Sequence, residues 1–452
     1  MPRTHYSAAR LRGVLVTTAI FILSLSQISA QEVSRFECSK VKPHVGAIQL
    51  TSSSIYQTSP GHSFGFDLKT APSTFSGGAC SSNAPFFFSM TAVDGNYEVT
   101  LELGADKAAS TTTVRAESRR VMVQQQTVAA GRSHKETFIV NVRSATISPS
   151  TNAAAVADSP ARIKLKAREI GALDWDDKLT LEFNGAHPSV RSIAIRKVEN
   201  VPTLYLAGDS TVVDQDKEPW AAWGQMLPRF FTSAVSIANN AESGETIRSF
   251  VGENRLAKIM STIKRGDYLF IQFAHNDQKP GSGFVSIADY KNYLVRYITE
   301  AREHGASTIL VTSMNRRKFD AQGHIVATLG DYPDAMREVA AEQHMPLIDL
   351  NAMSKTLFEA MGEQGTLKAF VHYPANTFPG QDAELKDDTH FNSYGAYELA
   401  RCIVQSIRDQ KLPLAAFLRK DTGQFDPAHP DAVSAWTLPA SPMISTDTPY
   451  GR

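Results

Sequence analysis

Two hydrophobic patterns divide the chain. Between residues 31 and 199, apolar and polar positions alternate over short runs. Examples are Glu98-Val-Thr-Leu-Glu-Leu103, Thr137-Phe-Ile-Val-Asn-Val142, Lys178-Leu-Thr-Leu-Glu-Phe183 and Ser189-Val-Arg-Ser-Ile-Ala-Ile195. A period of two places every second side chain on one face, the mark of a strand with one wet side. Turn-rich stretches such as Asn184-Gly185 separate the runs, and helical periods are few. Many short strands of this kind predict an all-β sandwich.

From Pro202 onward, apolar runs alternate with helical periods, which predicts an α/β domain with a parallel sheet flanked by helices. The expected strands are Leu204–Ala207, Ala234–Ile237, Tyr268–Phe273, Thr308–Thr312 and Pro346–Asp349. Ser286-Ile-Ala-Asp289 reads as a capping box opening a long helix. Tyr290, Leu294, Tyr297, Ile298 and Ala301 share one face of it, and Gly305 is its stop. Ser393 to Arg408 reads as a last amphipathic helix. Trp220 and Trp223 fall in the expected first helix after residue 210, where core packing is favoured over a sugar-stacking platform. Beyond about residue 415 the chain is rich in Pro, Asp and Ser without periodicity, and is expected to be a surface tail. The expected division is therefore a leader at 1–30, a β sandwich at 31–199, an α/β domain at 200–415 and a tail at 416–452.

The leader changes the picture of where the protein works. Arg3, Arg10 and Arg12 precede an apolar run from Gly13 to Leu25, and Ile28-Ser-Ala30 offers a cleavage site before Gln31. This is the layout of a secretory signal. The run is short for a membrane span of about 20 residues. The mature chain is expected to be secreted or periplasmic, with no membrane attachment after cleavage. Export permits disulfides. Of the three cysteines, Cys38 and Cys80 lie in the β-rich part and could pair, while Cys402 reads as a buried helix thiol. Their spacings suit no zinc site. The 452 residues carry 46 basic and 46 acidic side chains. With no net field to attract a polyanion, a nucleic-acid partner is not expected.

The candidate chemistry sits at the ends of the expected parallel strands. Leu204-Tyr-Leu-Ala-Gly-Asp-Ser-Thr-Val212 runs a strand directly into Ser210. In an open α/β sheet the crevice lies outside the carboxyl ends of the strands, so that hydroxyl is placed as a nucleophile would be. Asp387-Asp-Thr-His390 supplies a base three residues after an acid that can hold it. Asn240-Ala-Glu-Ser-Gly244 follows the second strand and His275-Asn-Asp277 the third. Each residue alone is weak evidence: Gly-Asp-Ser is usually a turn, and a lone Asn is more often an Asx-turn residue. Asp209 is expected to bond loop backbone rather than move a proton.

In this order, the four blocks resemble the SGNH or GDSL hydrolase superfamily, through Ser210, Gly244, Asn276 and His390. Gly208-Asp-Ser-Thr211 and Asp387-Asp-Thr-His-Phe391 are closest to the rhamnogalacturonan acetylesterase-like branch, and the resemblance covers about residues 200–410. Ala274 departs from it, where a Gly often stands. The resemblance implies a flavodoxin-like sheet and a catalytic triad of Ser210, Asp387 and His390. It implies an oxyanion hole made by the backbone N–H groups of Ser210 and Gly244 with the Asn276 amide. It further implies removal of O-acetyl groups from rhamnogalacturonan or a related plant cell-wall polysaccharide, with no cofactor and no metal. Other readings remain open: acetylated xylan or small acyl esters as substrate, acyl transfer onto sugar, or a carbohydrate-binding protein with a vestigial hydrolase domain. Candidate substrate-binding residues are His275, Arg316, Arg317 and His372, with Lys318 in the same basic cluster; Arg pairs carboxylates bidentately, as a uronate would require. A structural role for His275 and a solvated loop at 316–318 are equally open. The β-rich part is either a module that grips polysaccharide or shapes a cleft wall, or a packing domain.

Overall fold

In the computed structural model, residues 1–5, 33–38, 43–57, 63–148, 161–445 and 447–449 are described. The apolar run and cleavage site of the expected leader lie outside them. Among the described residues no helix is long and apolar enough to cross a membrane.

The β-rich part holds two sheets around one apolar core. The strand Gly95–Leu103 buries Tyr97, Val99, Leu101 and Leu103 and turns the residues between them outward. It pairs antiparallel with His134–Val142 and with Ser189–Val198. In the second sheet Phe86–Thr91 pairs with Lys178–Asn184. Phe36 of the first sheet meets Phe88 of the second at 5.0 Å between ring centroids. Cys38 and Cys80 form a disulfide across this region, and Cys402 is a free, buried thiol.

The second half is a five-stranded parallel sheet: Thr203–Gly208, Ser236–Asn239, Tyr268–Gln272, Ser307–Val311 and Leu347–Ile348. Its spatial order is second, first, third, fourth, fifth, the flavodoxin-like order with a switch point beside the first strand. The second strand lies two residues later than its hydrophobicity suggests, because its register is set by Thr203 pairing with Ser236. That slip brings Asn240–Gly244 directly to the carboxyl edge.

Helix Ile287–Glu303 buries the five residues expected to share a face. The Ser286 hydroxyl oxygen accepts from the Asp289 N–H. The Asp289 carboxylate accepts the Ser286 hydroxyl rather than closing a full capping box. Gly305 ends the helix at φ +75°, with Ala306 N–H on the Ala301 carbonyl and Gly305 N–H on that of Arg302. This double bond pattern needs a left-handed residue, which glycine adopts without a Cβ clash.

One expectation is corrected and a second is sharpened. Trp220 precedes the first helix, which spans only Trp223–Met226; both indoles are buried, so neither is a sugar platform. The described residues of 416–449 run over the surface, as expected of a tail, but are anchored at several points. Phe425 and Ser441 are buried, the Ser441 hydroxyl reaches Glu182 at 2.8 Å, and Glu218 N–H reaches the Met443 carbonyl at 2.7 Å. The segment shows no hydrophobic period because it runs without a long helix or strand, anchoring on the core through scattered residues such as Phe425, Trp436 and Leu438 and through these hydrogen bonds.

Candidate active site

The first parallel strand is wholly buried and ends at Gly208. A Cβ there would stand 2.5 Å from the Val212 side chain and 3.0 Å from the Gln272 carbonyl oxygen, so only glycine lets the chain turn this tightly. The Asp209 carbonyl accepts from the N–H groups of Val212 and Val213. Its Oδ1 accepts the Thr211 N–H at 2.9 Å and the Thr211 hydroxyl at 2.7 Å. Asp209 is therefore a turn-forming residue. Burial pushes its carboxyl above the usual range, against the Thr211 bonds and the nearby His390 and Arg316. Gln215 Nε2 donates to the Ser210 carbonyl at 2.8 Å and holds the loop from inside.

Ser210 Oγ lies 2.9 Å from His390 Nε2, and His390 Nδ1 lies 2.8 Å from Asp387 Oδ2. All three residues are buried. Asp387 Oδ1 accepts from the backbone N–H groups of Thr389 and His390 at 2.8 and 3.0 Å. Burial opposes its charge, but the His390 ring and those backbone donors outweigh burial and hold the carboxyl down to about 2. An ionised carboxylate only accepts, so His390 carries its proton on Nδ1 and presents a bare Nε2 to the serine hydroxyl. His390 lies in Leu385–Phe391, a strand antiparallel to Phe370–Tyr373. The Ala221 N–H donates to the Phe391 carbonyl at 2.8 Å and ties this hairpin to the serine loop.

Gly244 follows the second strand at φ +81°, a left-handed conformation that glycine allows. Asn276 follows the third. Its Nδ2 donates to the Glu245 carbonyl at 2.9 Å and its Oδ1 accepts from Lys279 Nζ at 3.2 Å. An amide has two hydrogens, so one remains for a ligand. Ser210, Gly244 and Asn276 leave the carboxyl ends of three adjacent strands. Among the described residues no group of three His, Cys, Asp or Glu side chains is gathered as a metal would need.

The substrate-binding candidates stand differently. His275 is fully buried beneath the site, with Nε2 3.4 Å from Met314 Sδ. Burial, then Arg316, His390 and Lys279, hold it neutral, well below the ordinary imidazole range. It offers no face to a substrate. Arg316 donates to the carbonyls of His275 at 3.0 Å and Thr328 at 3.1 Å. Arg317 is spent on Thr366 Oγ1, the Glu363 carbonyl and Asp388. His372 also meets Asp388, at 2.8 Å. The two arginines thus satisfy loop oxygens left by irregular backbone; of the three cluster residues Lys318 is the exposed one. Lys279, Gln215 and Glu245 were not singled out by sequence. Lys279 and Glu245 sit within three residues of motif positions, which is the one signal they carry.

The model of the GDSL-like lipase/acylhydrolase family matches residues 206–396. The rhamnogalacturonan acetylesterase RhgT of Bacillus subtilis (strain 168) is 42% identical over 223 residues, 49% of this chain and 96% of the relative. The probable rhamnogalacturonan acetylesterase YesY of the same organism is 34% identical over 222 residues, 48% of this chain and 98% of the relative. Among solved structures, protein YxiM of Bacillus subtilis aligns over 84% of this chain and 99% of its own, at 25% identity and a TM-score of 0.45.

Proposed function

This chain belongs to the GDSL-like lipase/acylhydrolase family and is a carbohydrate esterase, and from that premise we propose that it removes O-acetyl groups from rhamnogalacturonan or a related pectic polysaccharide. The observation that carries the chemistry is His390 bridging Ser210 and Asp387 at 2.9 and 2.8 Å. In the proposed reaction Ser210 Oγ attacks the acetyl carbonyl while His390 Nε2 takes its proton. Asp387 stabilises the imidazolium that forms. The N–H groups of Ser210 and Gly244 and the Asn276 amide receive the oxyanion, already fixed in place by the loops that carry them. His390 then gives the proton to the departing sugar oxygen. A water, deprotonated by the same imidazole, releases acetate from Ser210.

The pectic substrate is supported by the two acetylesterase relatives, and export by the leader-like residues 1–30. The strands between 34 and 198 are read as a sandwich unit built into the enzyme rather than tethered to it; buried ion pairs across the seam support that. The test is acetate release across acetylated rhamnogalacturonan, acetylated xylan and a small acetyl ester. Preference for the pectic polymer is expected. A better rate on xylan would move the substrate and leave the chemistry standing. Labelling by a serine-reactive phosphonate is expected, and its absence would favour a binding protein.

A further inference from the structure

The oxyanion loop is braced from outside the parallel-sheet half. Lys166 lies inside the β-rich part, in the connection between its strands His134–Val142 and Lys178–Asn184, 77 residues before the loop and outside the stretch matched by the family model. Its Nζ donates to the Ser243 carbonyl at 2.8 Å and pairs with the buried Glu245 carboxylate. The Ser243 carbonyl and the Gly244 N–H belong to one planar, trans peptide group. They therefore point in opposite directions. A cation holding the oxygen fixes the direction of the N–H and draws electron density toward the oxygen, making the N–H a stronger donor.

Lys166 is itself held in place. Its backbone N–H donates to Glu169 Oε2 at 2.8 Å. Glu169 is gripped by Arg255, fully buried, through two bonds of 3.0 and 2.6 Å. Arg168 of the same segment pairs with Glu242, two residues before Gly244. Glu245 links the two halves of the oxyanion site: its side chain takes Lys166 and its carbonyl takes the Asn276 amide at 2.9 Å.

We propose that Lys166 is a positioning residue for the esterase reaction, which orients and polarises the Ser243–Gly244 peptide so that the Gly244 N–H is ready for the oxyanion. This rests on the reading of Gly244 as an oxyanion donor. The β-rich part thus acts on the chemistry through one of its own connections, with no contact to the sugar required.

The test is made on the full chain with 4-nitrophenyl acetate and with a boronic acid that forms a tetrahedral adduct on the serine. Lys166→Met keeps most of the stem and removes the donor and charge. Its kcat is expected to fall about tenfold, less than the roughly 100- to 1,000-fold that loss of an oxyanion donor itself costs, with KM unchanged within about twofold. Boronate affinity is expected to fall by the same factor as kcat. Lys166→Arg, which restores a cationic donor, is expected to recover most of both losses. Lys166→Gln, which retains a neutral donor, gives a second reading should the Met variant unfold, and an intermediate loss is expected. Parity of kcat and boronate affinity with the parent, in either the Met or the Gln variant, would overturn the proposal. So would a loss confined to KM. Ser210→Ala, assayed alongside, separates the two levels of the argument. If it retains activity, the serine reading itself fails. If it is inactive while the Lys166 variants match the parent, only the role of Lys166 fails.

Discussion

Charge is buried in two places, and with different partners. At the seam between the halves, each buried cation has an anion close by. Arg119 meets Glu218 at 2.5 Å and donates to the carbonyls of Gln215 and Trp220. Arg120 meets Asp214 at 2.8 Å and Asp174 at 3.0 Å. Burial works against the charge of Arg120, but Asp214 and Asp174 more than restore it. Under the crevice the carboxyls lack such a facing arginine. Asp209 and Asp277 each leave one buried carboxylate oxygen without a protein partner. Burial, with Asp209 nearby, pushes Asp277 up to about 8. Seam charges face opposite charges and fix how the halves dock, although burial and Asp174 push the seam's Asp214 up to about 7. Crevice-floor carboxyls are driven toward neutrality, so that Asp387 is the carboxylate kept ionised against His390.

The strongest way to break this comparison is to remove the reacting group. Ser210→Ala is expected to cost about three or more orders of magnitude in turnover without loss of fold. Near-parental acetate release from the folded variant would show that the ordered polar groups serve something else. The seam should respond in the other currency. Arg119→Met strands Glu218 and two carbonyls in a buried place, and is expected to cost about 3 kcal/mol or more of stability in urea unfolding. Removing Arg296, whose partner Glu300 is on the same exposed helix face, should cost no more than about 0.5 kcal/mol. Equal losses from the two would mean that the seam pair is not specially buried in solution. Asn276→Ala is expected to lower kcat by about 100- to 1,000-fold, as loss of an oxyanion donor does. A pure KM effect would reassign the amide to ground-state binding.

Sequence displayed one of these regions and concealed the other. Ser210, Gly244, Asn276, Asp387 and His390 each carry a motif, because a tight turn, a left-handed residue or an acid–base pair restricts the residue types that fit. The parallel strands were legible as continuous apolar runs. The alternating strands were legible too, since Val99, Leu101 and Leu103 face one core. The seam was not. Lys166, Arg119 and Arg120 belong to no motif, and the carboxylates they meet, Glu245, Glu218, Asp174 and Asp214, lie tens of residues away along the chain. Arg316 and Arg317 misled for the same reason: a basic run beside a crevice says nothing of which carbonyls will use it. Nothing in the composition of residues 416–452 shows that the Ser441 hydroxyl would meet Glu182.

The carboxyls of the crevice give a pH test with opposite signs. Folding lowers Asp387 from an ordinary value near 4 to about 2. Its contribution, about 2–3 kcal/mol, is present above pH ~4 and is lost as the pH falls through ~2. Asp277 is raised to about 8, so it costs nothing below pH ~4 and increasingly disfavours the folded state as the pH rises toward ~8. Stability curves should therefore lose part of their slope between pH ~2 and ~4 in Asp387→Asn, and part of their decline between pH ~4 and ~8 in Asp277→Asn. If both variants change the same side, the two carboxyls are not held in opposite states.

The smallest expected effect concerns the rim. A polyanionic substrate was first expected to be held by Arg316, Arg317 and Lys318 together. Both arginines are engaged by carbonyls, a hydroxyl or Asp388, so replacing all three at once would mix lost packing with lost charge. Lys318 is exposed and can be tested alone. An exposed cation gains little from a partner in water, about 0–1 kcal/mol, and salt screens it over about 8–10 Å. Lys318→Ala is therefore expected to raise KM for acetylated rhamnogalacturonan by no more than about fivefold at low ionic strength. The difference should vanish in high salt, and a small neutral acetyl ester should not respond. An equal response of both substrates would show that Lys318 acts on the loop rather than on the polymer. No response from either would leave pectic preference to be set by shape and neutral hydrogen bonds, as it would be if the rim played no electrostatic part.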